Sequence, residues 1–275
     1  MSTLECFLLS IVQGITEFLP ISSTAHLKVI LKILHLENED INFLIELINL
    51  GTIFSIIVFY FSDIKKIFCG FFSFFFRNNN TADNSNFKFF ISMLIGSVPA
   101  ILLLGLVSVC FKNIHDFFEY GWLCGIFSAF ALIFFDLLKS SNKKFQNSYK
   151  EIFLIGIAQV FAVIPFVSRL GSCLILSRFF EYTRNDALKI SLLLSIPVMA
   201  ANLIFTVWSH FAEIYNFVFA MSFLKLFILF FATFVIGIFT LFLLNKFLKK
   251  HTFLGIAVYK ILFIFCYYFF FIKHF

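Results

Sequence analysis

Apolar residues fill the chain in long blocks, and short polar stretches separate them. Residues 4–19 read as an apolar helix that Pro20 stops, because its ring lacks an N–H and clashes with the preceding turn. Ser22, Ser23 and Thr24 are N-cap residue types and predict a new helix to about His35. Each piece is shorter than the roughly 20 residues that a bilayer crossing takes, so the pair reads as a re-entrant hairpin. Irregular backbone of this kind is tolerated at membrane depth only where protein or a wet cavity covers it. An acidic loop (Glu37, Glu39, Asp40) precedes a spanning helix over about 41–61. A basic loop is expected over 62–88, its centre at 78–86 the most polar part of the chain. Spans follow at about 89–111 and 118–138, with Gly96 and Pro99 in the first as positions for close packing or a kink.

The second half repeats this order. After a basic stretch at 139–150, residues 151–164 are apolar, Pro165 breaks them, and Ser168 is placed to cap a helix reaching about Phe180. Spans are then predicted over 187–208, where Pro197 suggests a kink, 217–245 and 253–272. Aligning Pro20 on Pro165 puts Ser23 on Ser168 and brings Gln13 and Gln159 to similar places. An odd number of crossings per half makes the halves inverted, and paired broken segments in two such halves mark a binding site. The expected fold is an all-α integral membrane bundle of two inverted repeats, each a re-entrant broken hairpin plus three transmembrane helices. It forms a single domain over 1–275, with repeat one at about 1–138, repeat two at about 150–275 and the linker 139–150 between them.

Composition agrees with a membrane setting. Of 275 residues 61% are hydrophobic and 13% charged, against about half and a quarter in soluble domains. The formal charge of +6 sits in the loops at 62–88, 139–150, 178–189 and 245–252. This follows the positive-inside bias and gives no nucleic-acid footprint. These loops would share the cytoplasmic face, with both termini on the other side. The six cysteines are scattered without a CxxC pair, so neither a zinc site nor a disulfide framework is indicated. The N-terminus carries Glu5 and no basic n-region, so the first helix is expected to be retained.

The candidate chemistry lies at the two breaks. Gln13 and Glu17 are four residues apart and share a helix face. A carboxylate at membrane depth costs roughly 3 kcal/mol on insertion scales and usually has a partner or a task. It reads either as a structural ion pair or as a ligand, with the Gln13 oxygen, for a hard divalent cation. Ser22, Ser23 and Thr24 start a helix whose free N–H groups favour phosphate. His26 lies in the same turn, so Ser23 and His26 could form a nucleophile and its acid/base partner. The second break supplies Ser168 and Arg169. Arg169 either locks the hairpins through Glu17 or clamps phosphate oxygens with its planar fork.

The block Gln13-Gly-Ile-Thr-Glu17-Phe-Leu-Pro-Ile-Ser22-Ser23-Thr24-Ala-His26 resembles the (E/Q)xxxE segment of the bacterial undecaprenyl-diphosphate phosphatases, the bacitracin-resistance proteins. The similarity runs along essentially the whole chain and extends to Asn49-Leu-Gly-Thr52 and Ser191–Pro197. The family's PGxSRSxxT motif reads here as Pro165-Phe-Val-Ser168-Arg169-Leu-Gly-Ser172-Cys173. Phe166 replaces its glycine, Leu170 its second serine and Cys173 its threonine. The resemblance implies hydrolysis of a polyprenyl diphosphate to the monophosphate carrier used in cell-wall synthesis, at the bacterial inner membrane, with bacitracin resistance as its phenotype. It implies a divalent cation, magnesium or calcium, on Gln13 and Glu17, and catalytic roles for Glu17, Ser23, His26 and Arg169. It also implies phosphate contacts from Ser22, Thr24, Ser168, Arg169, Ser172 and Cys173. The partners implied are the lipid substrate and the bilayer, and the sequence leaves room for a homo-oligomer. Whether Ser23 or His26 attacks phosphorus stays open, as do two other readings. One is a lipid-phosphate transporter, which the inverted repeats suggest; the other is a catalytically weakened relative, which Phe166 and Leu170 suggest.

Overall fold

The computed structural model describes residues 1–36, 41–76, 81–110, 115–138, 149–209 and 222–272, and these contain helices and connecting turns without a β-strand. The helices are α1 (Thr3–Thr16), α2 (Ser23–Ile33), α3 (Ile41–Phe59), α4 (Phe61–Phe76), α5 (Thr81–Cys110), α6 (His115–Asp136), α7 (Tyr149–Ile157), α8 (Arg169–Phe179), α9 (Arg184–Ser209), α10 (Phe223–Leu248) and α11 (Leu254–Tyr267). A 3-10 segment, Ala158–Val163, continues α7 toward Pro165, and a π-helical turn, Tyr268–Ile272, continues α11. Among the described residues four stretches are long and apolar enough to cross a membrane: Ser85–Leu103, Arg184–Ser209, Phe223–Leu248 and Leu254–Phe271. The bent pair Leu44–Phe59 and Phe61–Ser73 makes a fifth. The protein is therefore a multi-pass helical membrane protein.

Both predicted breaks are present. The helical hydrogen bonds of α1 end before Pro20 and restart at Ser23; those of α7 and its 3-10 continuation end before Pro165 and restart at Arg169. Ser168 caps α8 as expected, its Oγ accepting from Gly171 N (3.1 Å). At the first break the capping expectation does not hold. Ser22 occupies the N-cap position of α2 in the left-handed region (φ 72°), and its side chain makes no cap hydrogen bond. Phe166 is left-handed as well (φ 64°).

The loop expected over 62–88 is largely helical. Phe61–Phe76 forms α4, bent 79° from α3, and α5 begins at Thr81. Ile64 and Ile67, which carry the apolar face of α4, pack into the main core with Phe89 and Phe90 of α5, and this burial offsets the cost of helix formation. Residues 37–40, 139–148 and 210–221, which hold several of the loop charges above, lie outside the described residues.

Close helix crossings position the site. Helix α10 packs against α1 and α3, α5 packs against α7 and α9, α3 meets α9, and α6 meets α11. At the α5–α7 crossing a Cβ on Gly156 would lie 2.8 Å from Gly96 Cα, so only glycine permits this approach. At one end of the bundle the Asp136 carboxylate, 2% exposed, accepts from Arg184 Nε (2.7 Å) and Phe253 N (2.8 Å) and pairs with Arg178 (3.4 Å). Arg178, read above as loop charge, is thus a buried structural group that also donates to the carbonyls of Asp136 and Leu138. Lys189 and Asp63 form an ion pair joining α9 to α4.

Candidate active site at the two helix breaks

The two breaks meet. A Cβ on Gly171 would stand 3.3 Å from Pro20 Cβ, which places the start of α8 directly against the first break. Between them opens a cavity of about 420 Å³. The first break lines it with Glu17, Ser22, Ser23 and Thr24, the second with Val167, Ser168, Arg169 and Leu170. Two helix starts therefore border one space, and both direct unpaired N–H groups and a positive dipole end toward it.

Glu17 is the hub. Its Oε1 accepts from Arg169 Nη2 (2.9 Å), which joins the two halves of the chain across 152 positions. Its Oε2 accepts from Ser23 Oγ (2.5 Å) and from Gln13 Nε2 (3.0 Å). The Glu17 side chain keeps 11% of its surface exposed and Arg169 20%, both on the cavity. The ion pair therefore locks the hairpins and at the same time presents a guanidinium, a carboxylate and a serine hydroxyl to one space. A serine whose proton is directed at a carboxylate is arranged for nucleophilic attack.

His26 is not part of this arrangement. Its Nδ1 lies 2.9 Å from the Ser22 carbonyl and its Nε2 3.1 Å from Tyr259 Oη, while its ring stacks on Phe263 at 3.7 Å between centroids. A carbonyl only accepts, so Nδ1 carries the proton and Nε2 accepts from Tyr259. The imidazole thus holds the left-handed Ser22 turn that aims Ser23 at Glu17. The i, i+3 spacing lets Ser23 and His26 share a helix face, but Ser23, at the first helical position, turns back across the break to Glu17.

Two further expected phosphate contacts also lie elsewhere. Cys173 is fully buried, and its Sγ donates to Ile155 O (3.4 Å). Ser172 Oγ donates to Ser168 O (3.1 Å) and borders a different, apolar groove. Of the motif replacements, Leu170 lines the cavity. Phe166 packs with Ala25, Ile264 and Tyr267 and lines a smaller adjoining cavity of about 140 Å³ that shares Ser22, Thr24, Lys28 and Val167 with the first.

Gln13 and Glu17 do not fit a divalent cation as they stand. Three hydrogen bonds fill most of the roughly four acceptor positions of Glu17, and Gln13 turns its amide nitrogen, not its oxygen, toward that carboxylate. Gln13 Nε2 also donates to Asn49 Oδ1 (2.6 Å), and Gln13 Oε1 is buried without a partner. Among the described residues no three His, Cys, Asp or Glu side chains group as a metal site.

The sequence reading missed several lining residues: Lys28 from α2, Glu46 and Asn49 from α3, and Asn202 and Thr206 from α9. Glu46 had a signal, a carboxylate inside an otherwise uncharged apolar helix.

The sequence comparison agrees with this construction. Residues 6–265 match the profile of the bacitracin resistance protein BacA. The chain belongs to that family. It is 37% identical over 210 residues to the undecaprenyl-diphosphatase of Tropheryma whipplei (strain Twist), covering 71% of this chain and 74% of the relative. It is 30% identical over 269 residues to the undecaprenyl-diphosphatase of Prochlorococcus marinus (strain AS9601), covering 94% and 93%. It is 31% identical over 271 residues to undecaprenyl-diphosphatase 1 of Corynebacterium jeikeium (strain K411), covering 95% and 92%. The matched region of the family contains both breaks and every cavity residue named above.

Proposed function

We propose that this protein hydrolyses undecaprenyl diphosphate to undecaprenyl phosphate and inorganic phosphate, which returns the lipid carrier to cell-wall synthesis and underlies bacitracin resistance. The observation that carries the reading is the Ser23–Glu17–Arg169 chain of hydrogen bonds inside a cavity bordered by two helix starts. Arg169 and the N–H groups at the starts of α2 and α8 bind the terminal phosphate. Glu17 takes the proton of Ser23 as Oγ attacks the terminal phosphorus. The new O–P bond forms as the bond to the bridging oxygen breaks, and that oxygen leaves on the polyprenyl monophosphate. Water then attacks the serine phosphate, giving inorganic phosphate and restoring the hydroxyl. Arg169 stabilises the charge that builds on the equatorial oxygens in both steps.

An isoprenoid substrate suits the surroundings. An apolar groove of about 570 Å³ lies between α6, the 3-10 segment and α8. It is lined by Leu123, Phe127, Phe161 and Ile164, and Val167 borders both it and the polar cavity.

The inverted-repeat architecture belongs to the same proposal. Exchanging α1 with α7, α3 with α9, α5 with α10 and α6 with α11 carries the main crossings among these helices onto one another, which supports two related halves. The loop charges support a cytoplasmic basic face in the inner membrane. Phosphate release from undecaprenyl diphosphate by purified protein in detergent tests the activity. Parent-level release by both Glu17→Ala and Arg169→Ala would rule out this site. Transbilayer movement of the carrier without hydrolysis would favour the transporter reading.

A further inference from the structure

Glu46 is a second carboxylate in the cavity, and no step above uses it. It lies in the apolar helix α3, is 7% exposed, and lines the cavity together with Asn49 and Asn202. Asn202 Nδ2 of α9 donates to its Oε1 (2.6 Å), which fixes the plane of the carboxyl group. The side-chain amide of Asn49 also interacts with the carboxylate. Its Oε2 is buried and, among the described residues, makes no hydrogen bond of full geometry. A carboxylate within a membrane bundle is costly unless it is paired or has a task.

The two carboxylates of the cavity differ in what they have left to offer. Glu17 is committed to Arg169, Ser23 and Gln13. Glu46 has one oxygen anchored by Asn202, and the other makes no full hydrogen bond among the described residues. Both Glu17 and Arg169 lie within electrostatic range of Glu46. Glu46 lines the cavity, so a diphosphate entering it would meet like charge, and a cation between them turns that repulsion into attraction. Magnesium is commonly held by one or two carboxylates together with substrate phosphates, keeping several of its waters.

We propose that Glu46, rather than the Gln13–Glu17 pair, is the carboxylate that holds a divalent cation against the substrate diphosphate. Asn202 is the positioning residue that aims its other oxygen. This assignment rests on the diphosphatase reading for its ligand. It divides the labour between the carboxylates: Glu17 serves the serine and Arg169, and Glu46 serves the cation.

The test is Mn²⁺ binding to the purified full-length protein in detergent, followed by the loss of the free-ion paramagnetic signal. It is run with Mn²⁺ alone and with methylenediphosphonate as a diphosphate that does not hydrolyse. The parent shows saturable binding that the diphosphonate tightens and Mg²⁺ displaces. Asn202→Ala weakens binding by roughly 10–100-fold, the usual effect of losing the partner that orients a ligand, and Glu46→Gln weakens it by more than that. Glu17→Gln leaves Mn²⁺ affinity within about threefold of the parent, less than such a loss, although its turnover collapses. Unchanged affinity in Glu46→Gln, an equal loss in Glu17→Gln, or no saturable binding by the parent overturns the assignment. Glu46→Gln keeps an oxygen for Asn202 to donate to, and melting temperatures confirm that each variant is folded. Phosphate release by the same preparations separates the two claims. A parent that binds Mn²⁺ through Glu46 but releases no phosphate refutes the diphosphatase reading and leaves the site standing. A parent that releases phosphate while Glu46→Gln binds Mn²⁺ normally refutes only the site.

Discussion

Phe166 stands where the family motif has glycine, and its backbone is left-handed (φ 64°). An L-residue there costs about 1–2 kcal/mol relative to its ordinary conformations, a cost glycine escapes. The side chain offsets that cost. It is 6% exposed, meets the Tyr267 ring edge-on at 4.8 Å between centroids, and sits in a small cluster with Ala25 and Ile264. Emptying a buried phenylalanine site costs about 3–5 kcal/mol, so returning this position to glycine destabilises the protein. The informative comparison is between Phe166→Gly and Phe166→Ala, because both lose the ring. At an ordinary position the alanine variant is the more stable by roughly 0.4–1 kcal/mol. Here the left-handed backbone reverses the order, and the glycine variant melts higher by about 1 kcal/mol, or some 2–4 °C for a chain of this size. Thermal unfolding of both variants in one detergent measures the difference. An alanine variant equal to or more stable than the glycine variant would refute the backbone argument. Phe166 borders a smaller cavity that shares Ser22, Thr24 and Lys28 with the polar one; unchanged turnover in both variants fits a purely structural role, and a gain in Phe166→Gly supports the weakened-relative reading.

Arg169→Ala removes the donor on Glu17 Oε1 and the phosphate clamp together, and phosphate release should fall by roughly 10²–10³-fold. Arg169→Lys recovers little of this, because an ammonium lacks the planar fork. His26 and Tyr259 act as a unit on the Ser22 turn. A double-mutant cycle of His26→Asn with Tyr259→Phe, read by thermal stability, should show a coupling of about 0.5–1.5 kcal/mol, and strict additivity would count against their hydrogen bond. Gly156→Val forces side-chain atoms into the Gly96 backbone and should cost about 1–3 kcal/mol or more, measured as a lower melting temperature, whereas Gly255→Val has nothing within 4 Å of its Cβ and should cost far less.

The two breaks were legible because proline acts locally, and because polar residues inside apolar sequence are rare enough to stand out. Glu17, Ser23, Ser168 and Arg169 were found on those grounds, and the structure brings them to one cavity. Helix α4 was not legible. Its pattern is amphipathic, with Ile64 and Ile67 three apart on one face, but Asp63, Lys65 and Lys66 interleave with them and give the segment the look of a charged loop; packing against α5 decides for the helix. Glu46 and Asn202 escaped for a similar reason. They lie on different spans, and only the crossing of α3 and α9 makes them neighbours. The hydrogen bonds of His26 go to the Ser22 carbonyl and Tyr259, not to Ser23. Spacing fixes which residues share a helix face; it does not say that the first residue of a helix will bond backward, across a break, to the helix before it.

The most direct test of Ser23 as the nucleophile, with Glu17 as its base, is a rapid acid quench of the protein turning over undecaprenyl diphosphate labelled with ³²P in its terminal phosphate. Phosphoserine survives acid and phosphohistidine does not. Acid-stable label on the peptide containing Ser23, absent from Ser23→Ala and from Glu17→Gln, is the predicted result. Label that is lost in acid but survives alkaline quenching and maps to His26, or parent-level phosphate release by Ser23→Ala, would contradict it.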